Sequence, residues 1–213
     1  MNRELIVHIH SIIGILIFVT GLLQIVLKKS GSVHKTIGKV YVCAWLVLLI
    51  TGAYLGGLII TTIGIFGFYF ALTGSRIGHL KNKPITLFEK AIFIIGGLVA
   101  LSMLYFSASL YLKGQSSFAI IFAIFGTIFL FTTANDISKY IFKKPLKKQP
   151  YGTLDWYFEH FKRMCISFIA AVTAFASIQN VFGENTLNFI VPTVLGTIMI
   201  NLAARNYKKK LIK

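Results

Sequence analysis

Apolar residues in this chain come in long runs separated by short polar segments. Seven runs can be marked off: Leu5–Leu27, Val40–Gly57, Ile59–Gly78, Ala91–Leu112, Phe118–Ala134, Met164–Phe182 and Phe189–Ala204. Most approach the roughly 20 residues that a helix rising about 1.5 Å per residue needs to cross a hydrocarbon core of roughly 30 Å. The pattern predicts an all-α fold, a polytopic membrane bundle of seven transmembrane helices. Little of the 213-residue chain is left over, so residues 1–213 are expected to form a single transmembrane domain.

Charge sets the orientation. Only 13% of residues are charged and 56% are hydrophobic, where a soluble domain carries about 25% charged residues. The net charge of +16 is confined to alternate loops. Lys28, Lys29, Lys35 and Lys39 follow the first run, and Arg76, Lys81, Lys83 and Lys90 follow the third. Lys139, Lys143, Lys144, Lys147, Lys148, Lys162 and Arg163 lie between the fifth and sixth, and Arg205, Lys208, Lys209, Lys210 and Lys213 form the tail. That is 20 of the 22 basic residues, with Arg3 and Lys113 left for the other side. The positive-inside rule then puts the N-terminus outside and the C-terminus in the cytoplasm.

The same asymmetry separates the second run from the third. One crossing from Val40 to Gly78 would place two basic loops on opposite faces; two crossings place them on one face, with a tight outer hairpin near Gly57. Basic charge spread in this way is expected to meet anionic lipid headgroups on the cytoplasmic face, not nucleic acid. The first run exceeds a signal-peptide core and no small-residue cleavage pattern follows, so it reads as a retained span. Cys43 and Cys165 are too few for a disulfide framework and read as inert buried thiols.

No internal repeat is evident. The longest polar segment runs from Ser138 to Arg163, and its Lys143–Gly152 part, rich in lysine and proline, cannot be a helix interior. A helix is expected to restart at Thr153 or Asp155, with Trp156, Tyr157 and Phe158 in the interfacial aromatic belt. Small and polar residues recur at helical spacing as Ser167, Ala170, Ala171, Ala174 and Ser177, as His10, Gly14, Ile17, Gly21, Gln24 and Lys28, and as Thr193, Gly196, Thr197 and Asn201. Such faces let helices approach closely in lipid.

The chemistry is narrowed first by exclusion. No Lys, Arg, Asp or Glu falls near the centre of a run, which argues against proton pumps and voltage sensors. The last run has no lysine for a retinal Schiff base. It also has no histidine, unlike the seven-span hydrolases and receptors of the adiponectin-receptor and ceramidase kind. Five histidines remain. His8 and His10 are two apart on one helix and point in different directions, so His10 is expected to hydrogen-bond across a packing face while His8 meets headgroups. At the cytoplasmic ends lie His34, His79, Asn135, Asp136, Glu159, His160 and Arg163. Bundling could bring His34, His160 and Asp136 together. Paired imidazoles can ligate haem axially, and imidazole with carboxylate can hold a divalent metal ion. Solvated interfacial groups that cap helix ends are the plain alternative.

Two stretches carry a family likeness. His10-x3-Gly14, Gly21 and Gly31-x2-His34-x3-Gly38-x2-Tyr41 resemble the opening of a family of uncharacterised bacterial predicted multi-pass membrane proteins. His160-x3-Met164-x2-Ser167, Thr173-Ala174-Phe175, Asn180 and Pro192-Thr193-x2-Gly196 are similar to the second half of its relatives. The resemblance implies a bacterial inner-membrane protein and draws attention to His10, His34 and His160. Three functions stay open: haem (haem b) or metal binding through His34 and His160; binding or movement of a small neutral or lipid-like molecule by Gln24, Ser167, Thr197 and Asn201; and assembly with other membrane proteins without ligand chemistry. No catalytic residue stands out.

Overall fold

The computed structural model describes residues 2–27, 29, 31–144 and 151–211. Among these it is all-helical. The elements are α1 (Arg3–Val26), α2 (Ser32–Leu80), α3 (Leu87–Leu112), α4 (Ser116–Asp136), α5 (Asp155–Ile178) and α6 (Asn185–Leu211). A π-helical turn over Ile137–Ile141 extends α4, and a short 3₁₀ turn over Gly152–Leu154 precedes α5. Six helices are long and apolar enough to cross a membrane. Their apolar residues largely face outward: only 17–33% of each span's most apolar window is buried inside the protein. Side chains such as Leu112 and Val26 stand 85% and 84% exposed, a surface that suits hydrocarbon.

The 49 residues of α2 would stretch about 74 Å as a straight helix, more than twice a hydrocarbon core. Instead the helix breaks at Gly57, whose φ of 68° and ψ of −167° only glycine adopts readily. The two arms fold back on each other. A Cβ on Gly67 would overlap the Trp45 ring, and one on Gly64 would lie 2.9 Å from Leu49 Cδ1. The tight reversal expected near Gly57 is therefore present.

Two apolar clusters hold the bundle. Ile17, Tyr41, Ala44, Trp45 and Ala71 join α1 to both arms of α2. Phe66, Tyr69, Phe70, Phe93, Met103, Phe122 and Phe129 join the second arm of α2 to α3 and α4. Helix α3 starts on a capping box in which Thr86 N–H donates to Glu89 Oε2 at 2.7 Å. Glu89 also accepts from Arg76 Nε at 2.6 Å, which ties the end of α2 to the start of α3.

The restart of α5 differs in detail from expectation. Asp155 reaches back and accepts from Tyr151 N–H at 3.1 Å. Trp156 and Tyr157 are partly exposed, but Phe158 is 1% exposed and stacks on Tyr151 with ring centres 3.9 Å apart. Phe158 is a core residue; successive helical positions are about 100° apart, so three neighbours cannot share one face. The Lys143–Gly152 connection lies partly outside the described residues. Cys43 is exposed and Cys165 partly buried, both as free thiols, so the expectation of two buried thiols fails at Cys43.

Candidate functional site

The end of the bundle that carries the lysine-rich loops holds two polar constellations on neighbouring parts of α5. The first is a pair of imidazoles. His34, in the first turn of α2, and His160, in α5, have ring centres 6.5 Å apart with planes at 75°. His160 Nδ1 lies 2.8 Å from the Gly74 carbonyl oxygen. A carbonyl only accepts, so Nδ1 carries a proton, and the ring in its neutral form keeps a lone pair on Nε2. His160 is held close to the α2 backbone, where a Cβ on Gly78 would come within 2.6 Å of its Nδ1. His34 Nδ1 is sealed from solvent and has no hydrogen-bond partner. The His34 carbonyl accepts from Gln24 Nε2 at 2.8 Å.

Lys29 stands beside this pair. Its ammonium donates to the carbonyls of Gln24 and Ile25, two acceptors left open at the end of α1. Its charge acts on both imidazoles, and its own pKa is lowered by burial.

The second constellation is an ion-pair network. Arg163 donates to both carboxylate oxygens of Asp136 and, through Nη1, to Thr73 Oγ1 at 3.0 Å. Tyr69 OH donates to Asp136 Oδ2. The two charged side chains are 7% and 0% exposed. Nearby, Glu159 accepts from Lys139 and from Tyr140 OH, the latter at 2.6 Å; both donors come from the π-helical turn. A π turn adds a residue to the helical circuit and re-aims side chains, which is how two neighbours reach one carboxylate.

This corrects the expected grouping. Asp136 does not complete a site with the histidines: Arg163 and Tyr69 donate to it, and Thr73 in turn accepts from Arg163. Among the described residues no three His, Cys, Asp or Glu side chains come together as a metal site. The other residues are dispersed. His10 Nδ1 meets Thr51 Oγ1 at 2.8 Å between α1 and α2, the expected cross-helix bond, while His8 and His79 are exposed. Asn135 Oδ1 is buried without a partner. Gln24, expected with Ser167, Thr197 and Asn201 in a polar pocket, donates to the His34 carbonyl. Thr197 and Asn201 face outward, and Ser167, 0% exposed, bonds Tyr41 OH at 2.8 Å.

The Asp136–Arg163 pair was the residue grouping that sequence reasoning missed. Its signal in the sequence is slight: Arg163 stands beside Lys162 immediately before the sixth apolar run, where a long basic side chain reaches the headgroups as readily as a buried carboxylate. No family model, curated protein or solved structure matches this chain.

Proposed function

We propose that this is a bacterial inner-membrane protein that crosses the bilayer seven times, with its N-terminus outside, and binds haem through His34 and His160 at the cytoplasmic edge. The crossing count is supported by the reversal of α2 at Gly57 together with the charge bias of the loops. Reporter fusions at Lys144 and Leu211 then read cytoplasmic and one at Gly114 reads external. An external signal at Leu211 contradicts the orientation.

The observation that carries the ligand reading is the spacing of the two imidazoles. A metal–nitrogen bond is about 2.0–2.1 Å and a ring nitrogen lies roughly 1.1 Å from its ring centre, so two rings facing one metal have centres ~6.2 Å apart. The observed 6.5 Å is close to that span; it is also the spacing of a plain edge contact between rings, and an optical spectrum tells the two apart. The Nδ1–H bond of His160 to a backbone carbonyl is the usual support of a ligating histidine, because it fixes the tautomer and frees Nε2. Lys29 discriminates between ligands: an ammonium beside the pair opposes a bare divalent ion. Ferrous haem carries a porphyrin dianion and two propionates, so its net charge is complemented by Lys29. A lone metal ion is the second reading, with the same two ligands and without Asp136.

The test is an optical spectrum with metal analysis on protein purified in mild detergent. Haem gives a Soret band that His34→Ala and His160→Ala each abolish while His8→Ala and His79→Ala keep it. A stoichiometric metal without a Soret band selects the second reading. Neither signal, or equal signals in all variants, overturns both.

A further inference from the structure

The loop that leaves α2 contains a backbone conformation that its residue type disfavours. Lys81 has φ 56° and ψ −114°, in the region that glycine enters freely and L side chains rarely do. The loop is nonetheless tightly built. Lys81 N–H bonds the Ile77 carbonyl at 2.8 Å, Lys83 N–H bonds that of Leu80 at 2.9 Å, and Asn82 Nδ2 reaches the Thr153 carbonyl at 3.2 Å. The last bond fastens the loop to the start of α5. There the Lys81 ammonium lies 5.5 Å from the centre of the Trp156 ring. Between loop and helix opens a groove of about 460 Å³ lined by His79, Leu80, Lys81, Asn82, Lys83 and Trp156. Its lining holds two lysines and no acid.

Each feature points to the same ligand chemistry. Strained non-glycine residues collect where a side chain is needed at a fixed place, and here the side chain is a cation aimed across an aromatic face. Lysines with an amide donor suit a phosphate, and a tryptophan beside them suits the headgroup level of a bilayer. We propose that this groove is a specific site for the phosphate of an anionic phospholipid. Lys81 and Lys83 bind the phosphate, and Trp156 and Leu80 bear against the glycerol. The inference rests on the membrane-spanning reading and is independent of the histidine pair.

The test uses the full chain in detergent, titrated with phosphatidylglycerol, phosphatidylcholine or inorganic phosphate, with retention of lipid read by native mass spectrometry. Phosphatidylglycerol is retained and phosphatidylcholine is not. Lys83→Gln weakens retention about fivefold, the equivalent of roughly 1 kcal/mol per lysine. Lys81→Gly weakens it similarly and at the same time raises the unfolding midpoint by about 2–4 °C, because glycine relieves the backbone. Opposite signs for binding and stability in one variant are what a merely structural lysine does not produce. Equal retention by wild type and both variants overturns the site, as does inorganic phosphate displacing the lipid at equal concentration, which makes the ligand a free anion. Protein that is absent from the membrane fraction of cells rejects the spanning reading itself, a different failure.

Discussion

Replacing Asp136 by Asn removes one charge from a pair that the bundle has sealed, and leaves the Arg163 guanidinium with Thr73 and a neutral amide. The side chains are 0% and 7% exposed, so water does not compensate the loss. Breaking a buried ion pair from one side costs about 3–5 kcal/mol. For a chain of this size about 1 kcal/mol moves the midpoint by roughly 2–4 °C, so Asp136→Asn should unfold ~6–20 °C lower than wild type. Removing the whole network is a separate case. Thr73 Oγ1 keeps its bond to the Tyr69 carbonyl at 2.6 Å, so only the Tyr69 hydroxyl is left unpaired when both charges go. The triple variant Tyr69→Phe, Asp136→Leu, Arg163→Met therefore strands no polar group, and should return to within about 2 kcal/mol of wild type, since apolar replacements of buried pairs are often neutral or stabilising. Heat-induced loss of helicity in detergent, followed by circular dichroism, reads all three proteins. A single variant that costs under about 1 kcal/mol, or a triple variant no better than the single, refutes the claim that this pair is sealed and mutually dependent.

Gly57→Ala forces a side chain into a φ of 68° and should cost about 1–3 kcal/mol in the same melt; a neutral result means the arms of α2 reverse in another way. Gly78→Ala introduces a methyl group 2.6 Å from the His160 ring and should displace it from the Gly74 carbonyl, so the haem or metal occupancy proposed above falls while helicity at low temperature is unchanged. Thr173 has a sealed hydroxyl with no partner beside a small apolar cavity of about 20 Å³, so Thr173→Val should leave the midpoint unchanged or raise it. A fall of more than about 1 kcal/mol would show that the hydroxyl is bonded after all.

What could be read from the residues was whatever depends on period and charge. The helical runs, the reversal at Gly57 and the convergence of His34 with His160 follow from apolar lengths, from lysines on alternate loops and from two histidines opening helices on one face. His10 spanning to a neighbouring helix follows from its place on a glycine-lined face. Partner choice was less legible. Asp136, His34, His160 and Arg163 lie toward one end of the bundle, and that placement alone cannot say that Asp136 pairs with Arg163 and not with the histidines; that depends on helix rotation. Had the burial phase of α5 been traced through Asp155, Phe158, Arg163 and Ser167, Phe158 would have been assigned to the core and Arg163 to a buried partner. The conformation of Lys81 has no signature in the residues: a positive φ is the habit of glycine, and Leu80, Lys81 and Asn82 include none.

The two constellations on α5 are mechanically one. His160, Arg163 and Ser167 are separated by three and four residues, so they project from a single face. That face meets α2: His160 at the Gly74 carbonyl, Arg163 at Thr73 Oγ1 and Ser167 at Tyr41 OH. Close approach is possible because α2 offers Ala71, Gly74 and Gly78 there; a Cβ on Gly74 would lie 2.9 Å from that of Arg163. A slip of α5 by one residue turns it about 100° and breaks all three bonds, and with them the bonds of Arg163 to Asp136 at the end of α4. The charge-assisted bonds of Arg163 to Asp136 are the strongest, and they fix where the His160 ring sits. Asp136→Asn should then lower bound haem or metal as well as the midpoint, although Asp136 itself touches no ligand. Glu89→Gln is the control. It breaks the ion pair of Arg76, also with a carboxylate 2% exposed, but on the α3 side of α2, so it should lower the midpoint and leave occupancy intact. If both variants lose ligand in proportion to stability, the arginine only holds the bundle together and does not aim the histidine.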